Sequence, residues 1–284
     1  MSWLDDEDLD PDSDAGRERM MGALHAEQDD APGIMAAAPT AAPPAPEKSV
    51  LLRIGGLVVF LPRGDDAGDA EAEALRDVSA SGGSCVLVRL PQLLGWGAGD
   101  HATTRLMCHW LQTRPVMQAL ELGGRLCDFG CGSGVLSLAA TALVPSATAC
   151  GVDIEPNSVR CSRVNAHANG LESRCTFHLP PASFLEHDLD FFARFGHHRD
   201  HAAELLPEGA GGFHVVVANI LPGPLARLAP TLLHLLAPGG LLALAGCQSH
   251  QVQELVDRYE HYICICIYIA TYLSIPLSIC IVCR

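Results

Sequence analysis

Residues 125–134 read Arg-Leu-Cys-Asp-Phe-Gly-Cys-Gly-Ser-Gly, and a largely apolar stretch continues to Leu143. A short apolar run ends in an acid, glycines follow at every second position, and a helical pattern begins. That order spells strand, tight turn, helix. Gly130, Gly132 and Gly134 have the spacing GxGxG. A dinucleotide fingerprint wants glycine at 135, where Val135 stands, and no Lys-Ser/Thr follows, so the loop is not a phosphate-cradling one. What remains is a loop for a ligand with an adenosine end and an amino-acid end. Asp128 is suited to hold an ammonium, directly or through water, and the glycines let a ligand approach the backbone. A glycine-rich turn without a ligand is the competing reading.

Working outward, the next strand, Thr148–Asp153, ends in Asp153, 23 positions beyond Gly130. An acid at the end of the second strand can accept hydrogen bonds from both hydroxyls of a ribose. Glu155 fits a first-turn helix acid ahead of Pro156. A later strand, His214–Ala218, runs into Asn219, whose amide both donates and accepts. Such an amide could accept a hydrogen bond from an attacking amine, or it could cap the turn before Pro222.

The rest of 49–260 alternates in the same way. Val50–Leu61 and Cys85–Leu90 read as strands around a Gly/Asp/Ala-rich loop. His101–Leu120 and Pro156–Asn169 read as helices, and Arg174–His178 as a strand. About 30 irregular residues follow. Helix Pro222–Leu236, strand Leu241–Ala245 and helix Gln248–Tyr259 complete the run. Apolar strands between amphipathic helices predict an α/β fold, a doubly wound, mostly parallel sheet covered on both faces, with function at the carboxyl ends of its strands.

Composition bounds the partners. The 284-residue chain carries a net charge of −15, and Lys48 is its one lysine. A surface that tracks nucleic-acid phosphates needs clustered Lys and Arg, so no direct nucleic-acid partner is expected. Residues 1–30 hold 11 Asp and Glu and two Arg and read as a disordered acidic tail; residues 31–48 read as an Ala/Pro linker. Neither a secretory signal nor an Arg-rich transit peptide is visible, which points to a cytoplasmic protein with reduced, buried thiols. The 12 cysteines include no pair of CxxC motifs, so no metal is expected. His187, His197, His198 and His201, with Asp188, Asp190 and Asp200, match no ligand spacing and read as a solvated loop rather than a metal site.

Residues 261–284 differ from everything before them. They hold seven of the 11 isoleucines, and Ile263 to Cys283 carries no charge. The length suits a membrane-spanning tail anchor, the one route to a membrane in this sequence. The favoured reading is translated non-coding or misspliced sequence, since ICICIYI looks like a short nucleotide repeat.

The segments GWGAGDHATTRLMCHWL, CDFGCGSGVLSLAA, GVDIEPNSV, NAHANGL, VVVANILPGPLARLAP and LLAPGGLLALAGCQSHQ stand in this order over about residues 50–260. Together they resemble the ribosomal protein L11 methyltransferase (PrmA) family. The resemblance implies a Rossmann-like class I methyltransferase that uses S-adenosylmethionine (S-adenosyl-L-methionine) and methylates amino groups, mainly lysine ε-amines, of a large-subunit ribosomal protein. It implies cofactor contacts at Thr104, Gly130 and Asp153, and places Asn219 beside the methyl group and the substrate amine as the catalytic residue. The NPPY of glutamine methyltransferases is absent, since Asn219 is followed by Ile-Leu-Pro. The sequence departs from the family where FGTGTHPTT becomes WGAGDHATT, with Asp100 and Ala102 changed. Pro180–Gly212 is expanded, and residues 1–48 do not resemble the family's substrate-recognition domain. The closing antiparallel strand hairpin is expected to be missing or replaced beyond about Tyr259. Three functions therefore stand: a protein-lysine methyltransferase, a methyltransferase of similar core acting on another protein or a small molecule, and a non-catalytic relic.

Overall fold

The computed structural model describes residues 48–93, 101–184, 205–207, 209–260, 265–272 and 275–283. The acidic tail, nearly all of the Ala/Pro linker, Asp100 and the four loop histidines lie outside the described residues.

Two sheets form. The smaller has the order β1-β2-β3. Strands β1 (Val50–Ile54) and β2 (Leu57–Leu61) pair antiparallel, and β3 (Val86–Arg89) lies parallel to β2. The expected single strand Val50–Leu61 is thus a hairpin. Ile54 faces Leu57, so Gly55-Gly56 is a two-residue turn, and glycine-rich pairs are what such turns select. The expected loop between these strands contains helix α1 (Ala67–Ala80), because its Ala, Glu and Leu outweigh its one glycine.

The larger sheet has seven strands in the order β6-β5-β4-β7-β8-β10-β9. Its parallel part is β4 (Arg125–Phe129), β5 (Thr148–Val152), β6 (Cys175–His178), β7 (Phe213–Asn219) and β8 (Leu236–Ala245). Successive side chains of its strands enter opposite cores. Leu126, Val215, Val217 and Ala243 join one cluster; Cys127, Phe129, Val216 and Leu244 join the other. Helices α2 (Ala102–Leu111), α3 (Arg114–Glu121), α4 (Val135–Leu143) and α5 (Pro156–Ala168) contribute to the first cluster. Helices α6 (Pro222–Arg227), α7 (Ala229–Leu235) and α8 (Val252–Glu260) contribute to the second.

Two long predicted helices are broken. His101–Leu120 divides at Gln112-Thr113 because Pro115 lacks an N–H and crowds the preceding turn; Thr113 is extended at φ −71°, ψ 147°. Pro230 divides Pro222–Leu236 in the same way.

Of the two expectations for the closing hairpin, missing or replaced, the first is corrected: the atypical tail itself forms one. Strands β9 (Ile265–Tyr272) and β10 (Ile275–Cys283) pair antiparallel, and β10 runs antiparallel to β8 from Ser278↔Ala245 to Val282↔Leu241. The uncharged tail is therefore two strands, not one helix, as its β-branched alternation favours. The register shifts between Ile275 and Ser278, around Pro276, which cannot donate to a ladder. Among the described residues no helix is long and apolar enough to cross a membrane.

Two asparagines one turn apart, Asn165 in α5 and Asn169 at its C-cap, join the sheets. The Asn169 amide accepts from Arg89 N–H at 2.8 Å and donates to Arg89 C=O at 2.7 Å. The fully buried Asn165 amide does the same for Gln92, both bonds at 2.9 Å, and also donates to Ser133 C=O in the glycine loop. These amides serve the chain after β3 as a neighbouring strand would. Asn165→Ala leaves both main-chain groups of Gln92 without these partners and should cost about 3 kcal/mol in a denaturant titration.

Candidate active site

The direction of chain travel reverses at β4. Strands β5 and β6 lie on one side of it, β7 and β8 on the other, which opens a crevice at the carboxyl ends of β4 and β7. The turns after β4, β5 and β7 and the first turn of α2 supply the residues singled out in the sequence.

Asp153 follows β5. Its Oδ2 accepts from Gly132 N–H at 2.8 Å and its Oδ1 from Glu155 N–H at 2.9 Å. The ribose candidate is thereby tied to the glycine loop. Burial raises its pKa, and main-chain N–H groups, those of Glu155 and Gly132 foremost, oppose that rise. Each oxygen keeps a further lone pair.

The loop's glycines divide the work. Gly130, at φ +81°, lies against Ile220: a Cβ there would meet Ile220 Cγ2 at 2.2 Å. Gly132 supplies the N–H to Asp153. Gly134 is the left-handed N-cap of α4, and a Cβ on it would approach Ser162 and Phe177 at 3.1 Å, so it serves the turn and its packing. Ser162 Oγ–H donates to Gly132 C=O at 2.8 Å.

Asp128 is 1% exposed. Its Oδ2 accepts from both the N–H and the Oγ–H of Ser137, at 3.1 and 2.9 Å. Ser137 is the third residue of α4, so the carboxylate satisfies one of the helix's orphan donors. These bonds hold strand to helix. Burial pushes the Asp128 pKa from 3.8 up to about 7, the Ser137 bonds pull it down, and Asp153 adds to the rise.

Asn219 ends β7, half-buried, opposite Ala245 of β8. Its Nδ2 donates to Thr104 Oγ1 at 3.2 Å across 115 residues of chain. Thr104 is 2% exposed and third in α2, whose N-cap is His101: the His101 Nδ1 accepts from Thr103 N–H at 3.3 Å. With its Nδ2 on the Thr104 hydroxyl, the Asn219 amide turns its Oδ1 away from Thr104. Its Oδ1 has no partner among the described residues.

The structure thus pairs Asp153 with Gly132 and Asn219 with Thr104, bonds Asp128 to Ser137, and places Gly134 at the start of α4. Sequence reasoning missed Asn165, Asn169 and Ser162. The visible signal was a pair of amides at i and i+4 near the end of the helix read over Pro156–Asn169. A cavity of about 450 Å³, lined by Arg125, Cys150, Thr176, His178 and Phe213 among others, includes none of the predicted site residues. Among the described residues no three His, Cys, Asp or Glu side chains group to hold a metal ion.

This strand order, with a glycine loop after the central strand and an acid after its neighbour, is the Rossmann-like class I methyltransferase fold. A crystal structure of the ribosomal protein L11 methylase from Lactobacillus delbrueckii subsp. bulgaricus shares it, at TM-score 0.53 and 21% identity over 81% of this chain and 97% of that one. The chain belongs to the ribosomal protein L11 methyltransferase (PrmA) family, whose model matches residues 75–269. The ribosomal protein L11 methyltransferase of Azotobacter vinelandii is 41% identical over 169 residues, 59% of this chain and 47% of its own length. That of Serratia proteamaculans is 38% identical over 176 residues, 62% and 50% respectively. The chain spans about half the length of these curated relatives.

The buried Asp128 makes stability depend on pH. Its folded pKa lies above the ordinary value, so its ionised form is penalised in the folded state: its contribution is full below about pH 4 and is lost as pH rises toward 7. Asp128→Asn keeps an acceptor for Ser137 and removes the charge. In urea titrations the variant should gain on the parent chain between pH 5 and about pH 8. A difference that does not change with pH would contradict the assignment.

Proposed function

We propose that this chain transfers methyl groups from S-adenosylmethionine to lysine amines of a ribosomal protein, with L11 the first candidate acceptor, in the cytoplasm. The observation that carries the reading is the Asn219–Thr104 bond, which leaves the Asn219 Oδ1 unpaired at the crevice between β4 and β7.

The residues present fit this cofactor. Asp153 keeps two acceptor positions for a vicinal diol, the backbone at Gly130 carries no side chain, and the fixed Asn219 amide offers an acceptor. Asp153 would hold the ribose, Gly130 and Gly132 the amino-acid end of the ligand, and Thr104 the amide that faces the reaction. When bound, the cofactor supplies a methyl carbon already activated by a sulfonium. The protein's share is then to bind, orient and exclude water. A lysine amine, whose reference pKa is about 10.4, must arrive without its extra proton. Asn219 Oδ1 accepts a hydrogen bond from that amine and turns its lone pair toward the methyl, and solvent takes the released proton.

The second reading, the same chemistry on another protein or a small molecule, draws on residues 1–48, whose acidic and Ala/Pro-rich sequence does not resemble the family's substrate-recognition domain. The non-catalytic reading loses its motive, because the strand hairpin stands in the sheet.

Incubation with radiolabelled S-adenosylmethionine and purified L11, then with total ribosomal protein and with free lysine, separates the acceptors. Label on L11 lysines, located by mass spectrometry, is the expected result. Label on none of them, from a chain that binds the cofactor, would move the assignment to the second reading. Asp153→Asn should raise the cofactor Kd about tenfold in calorimetry, as loss of a charge-assisted hydrogen bond does. Asn219→Ala should lower turnover about 100-fold and leave that Kd within about threefold.

A further inference from the structure

Ile220, the residue after Asn219, is pinched between glycines from two other turns. On one side its Cγ2 occupies the space where a Gly130 side chain would begin, 2.2 Å from the position of that Cβ. On the other side stands Gly246, the residue after β8. A Cβ on Gly246 would lie 2.2 Å from Ile220 O, 2.9 Å from its carbonyl carbon and 3.2 Å from its N. All three atoms are backbone, so no flexible side-chain end can give way. Gly246 also has φ +99°, a conformation that side-chain-bearing residues resist. Ala245 and Asn219 are ladder partners, so Gly246 and Ile220 leave the sheet side by side.

The consequence falls on the amide. Asn219 reaches Thr104 through a 3.2 Å bond, already near the long end for N–H···O. A shift of a few tenths of an ångström in the Asn219–Ile220 peptide would lengthen it past use.

We propose that Gly246 is a positioning residue for methyl transfer. Its missing side chain sets where the Asn219 amide stands, and the Ile220 side chain couples that amide to the cofactor loop at Gly130. The inference rests on the function proposed above for its kinetic consequence; its geometric part stands apart from that function.

The test uses the full chain and two variants, Gly246→Ala and Ile220→Ala. Three readouts are taken: turnover on the acceptor, cofactor Kd by calorimetry, and the Asn219 side-chain amide signal in a ¹⁵N-labelled sample, assigned by its loss in Asn219→Ala. For Gly246→Ala turnover should fall about 100-fold, as a misplaced catalytic group does, with the cofactor Kd within about threefold and the amide signal shifted. Ile220→Ala should show the same split at about tenfold. If Gly246→Ala does not fold, Ile220→Ala decides. Unchanged turnover with an unshifted amide signal, or a Kd that worsens as much as turnover, would overturn the proposal. If the parent chain itself transfers no methyl group, the functional reading fails instead, and the amide signal alone then decides the geometric claim: shifted supports it, unshifted overturns it.

Discussion

Strands that flank β4 on its two sides are reached by crossovers of opposite direction, so the turns after β4 and β7 leave the sheet toward different faces. The space between them cannot be filled by the chain that makes it. Everything distinctive about the site follows from that opening. The glycine loop, Asp153, Asn219 and Gly246 all sit on strand ends that border it, and Thr104 reaches it from the first turn of α2. Three turns meet so closely there that side chains are excluded at Gly130 and Gly246.

Buried acid is the cost of this arrangement. Asp128 and Asp153 flank the same loop; burial raises the pKa of both, and the Asp153 charge adds to the rise at Asp128. Neither is left to itself. Asp128 takes both donors of Ser137, and Asp153 takes the main-chain N–H groups of Gly132 and Glu155. Main-chain donors fixed by a helix start and by a tight turn do not need to reorganise when charge appears, which is what allows acids at this depth.

The support around the loop is made largely of amides and hydroxyls on α5. Asn165 and Asn169 hold the chain after β3, and Ser162 holds Gly132. One helix therefore fixes both the glycine loop and the segment that leads toward α2, the helix that presents Thr104. The Asn219 amide on β7 and the Thr104 hydroxyl on α2 sit on this scaffold. The position of the amide depends on the closing edge as well, because β8, which leads into Gly246, is paired on its far side by β10.

Much of the core was legible in the sequence. The run Arg125–Phe129, the GxGxG spacing, Asp153 at the next strand end and Asn219 after an apolar strand are local signals, set by hydrophobic period and by glycine's freedom in a turn. Local signals also misled. The Gly55-Gly56 turn hid inside an apolar run. Pro115 and Pro230 broke helices that periodicity joined. The uncharged length of the tail suggested a membrane, whereas its alternation suits the strands it forms. Only the tertiary structure decided which polar groups meet. It turned Asp128 toward Ser137, gave Asn165 the main chain of Gln92, and brought Asn219 to Thr104 from 115 residues away. A hydrogen bond is made or lost within a few tenths of an ångström, and no pattern along a chain encodes a distance between residues that far apart.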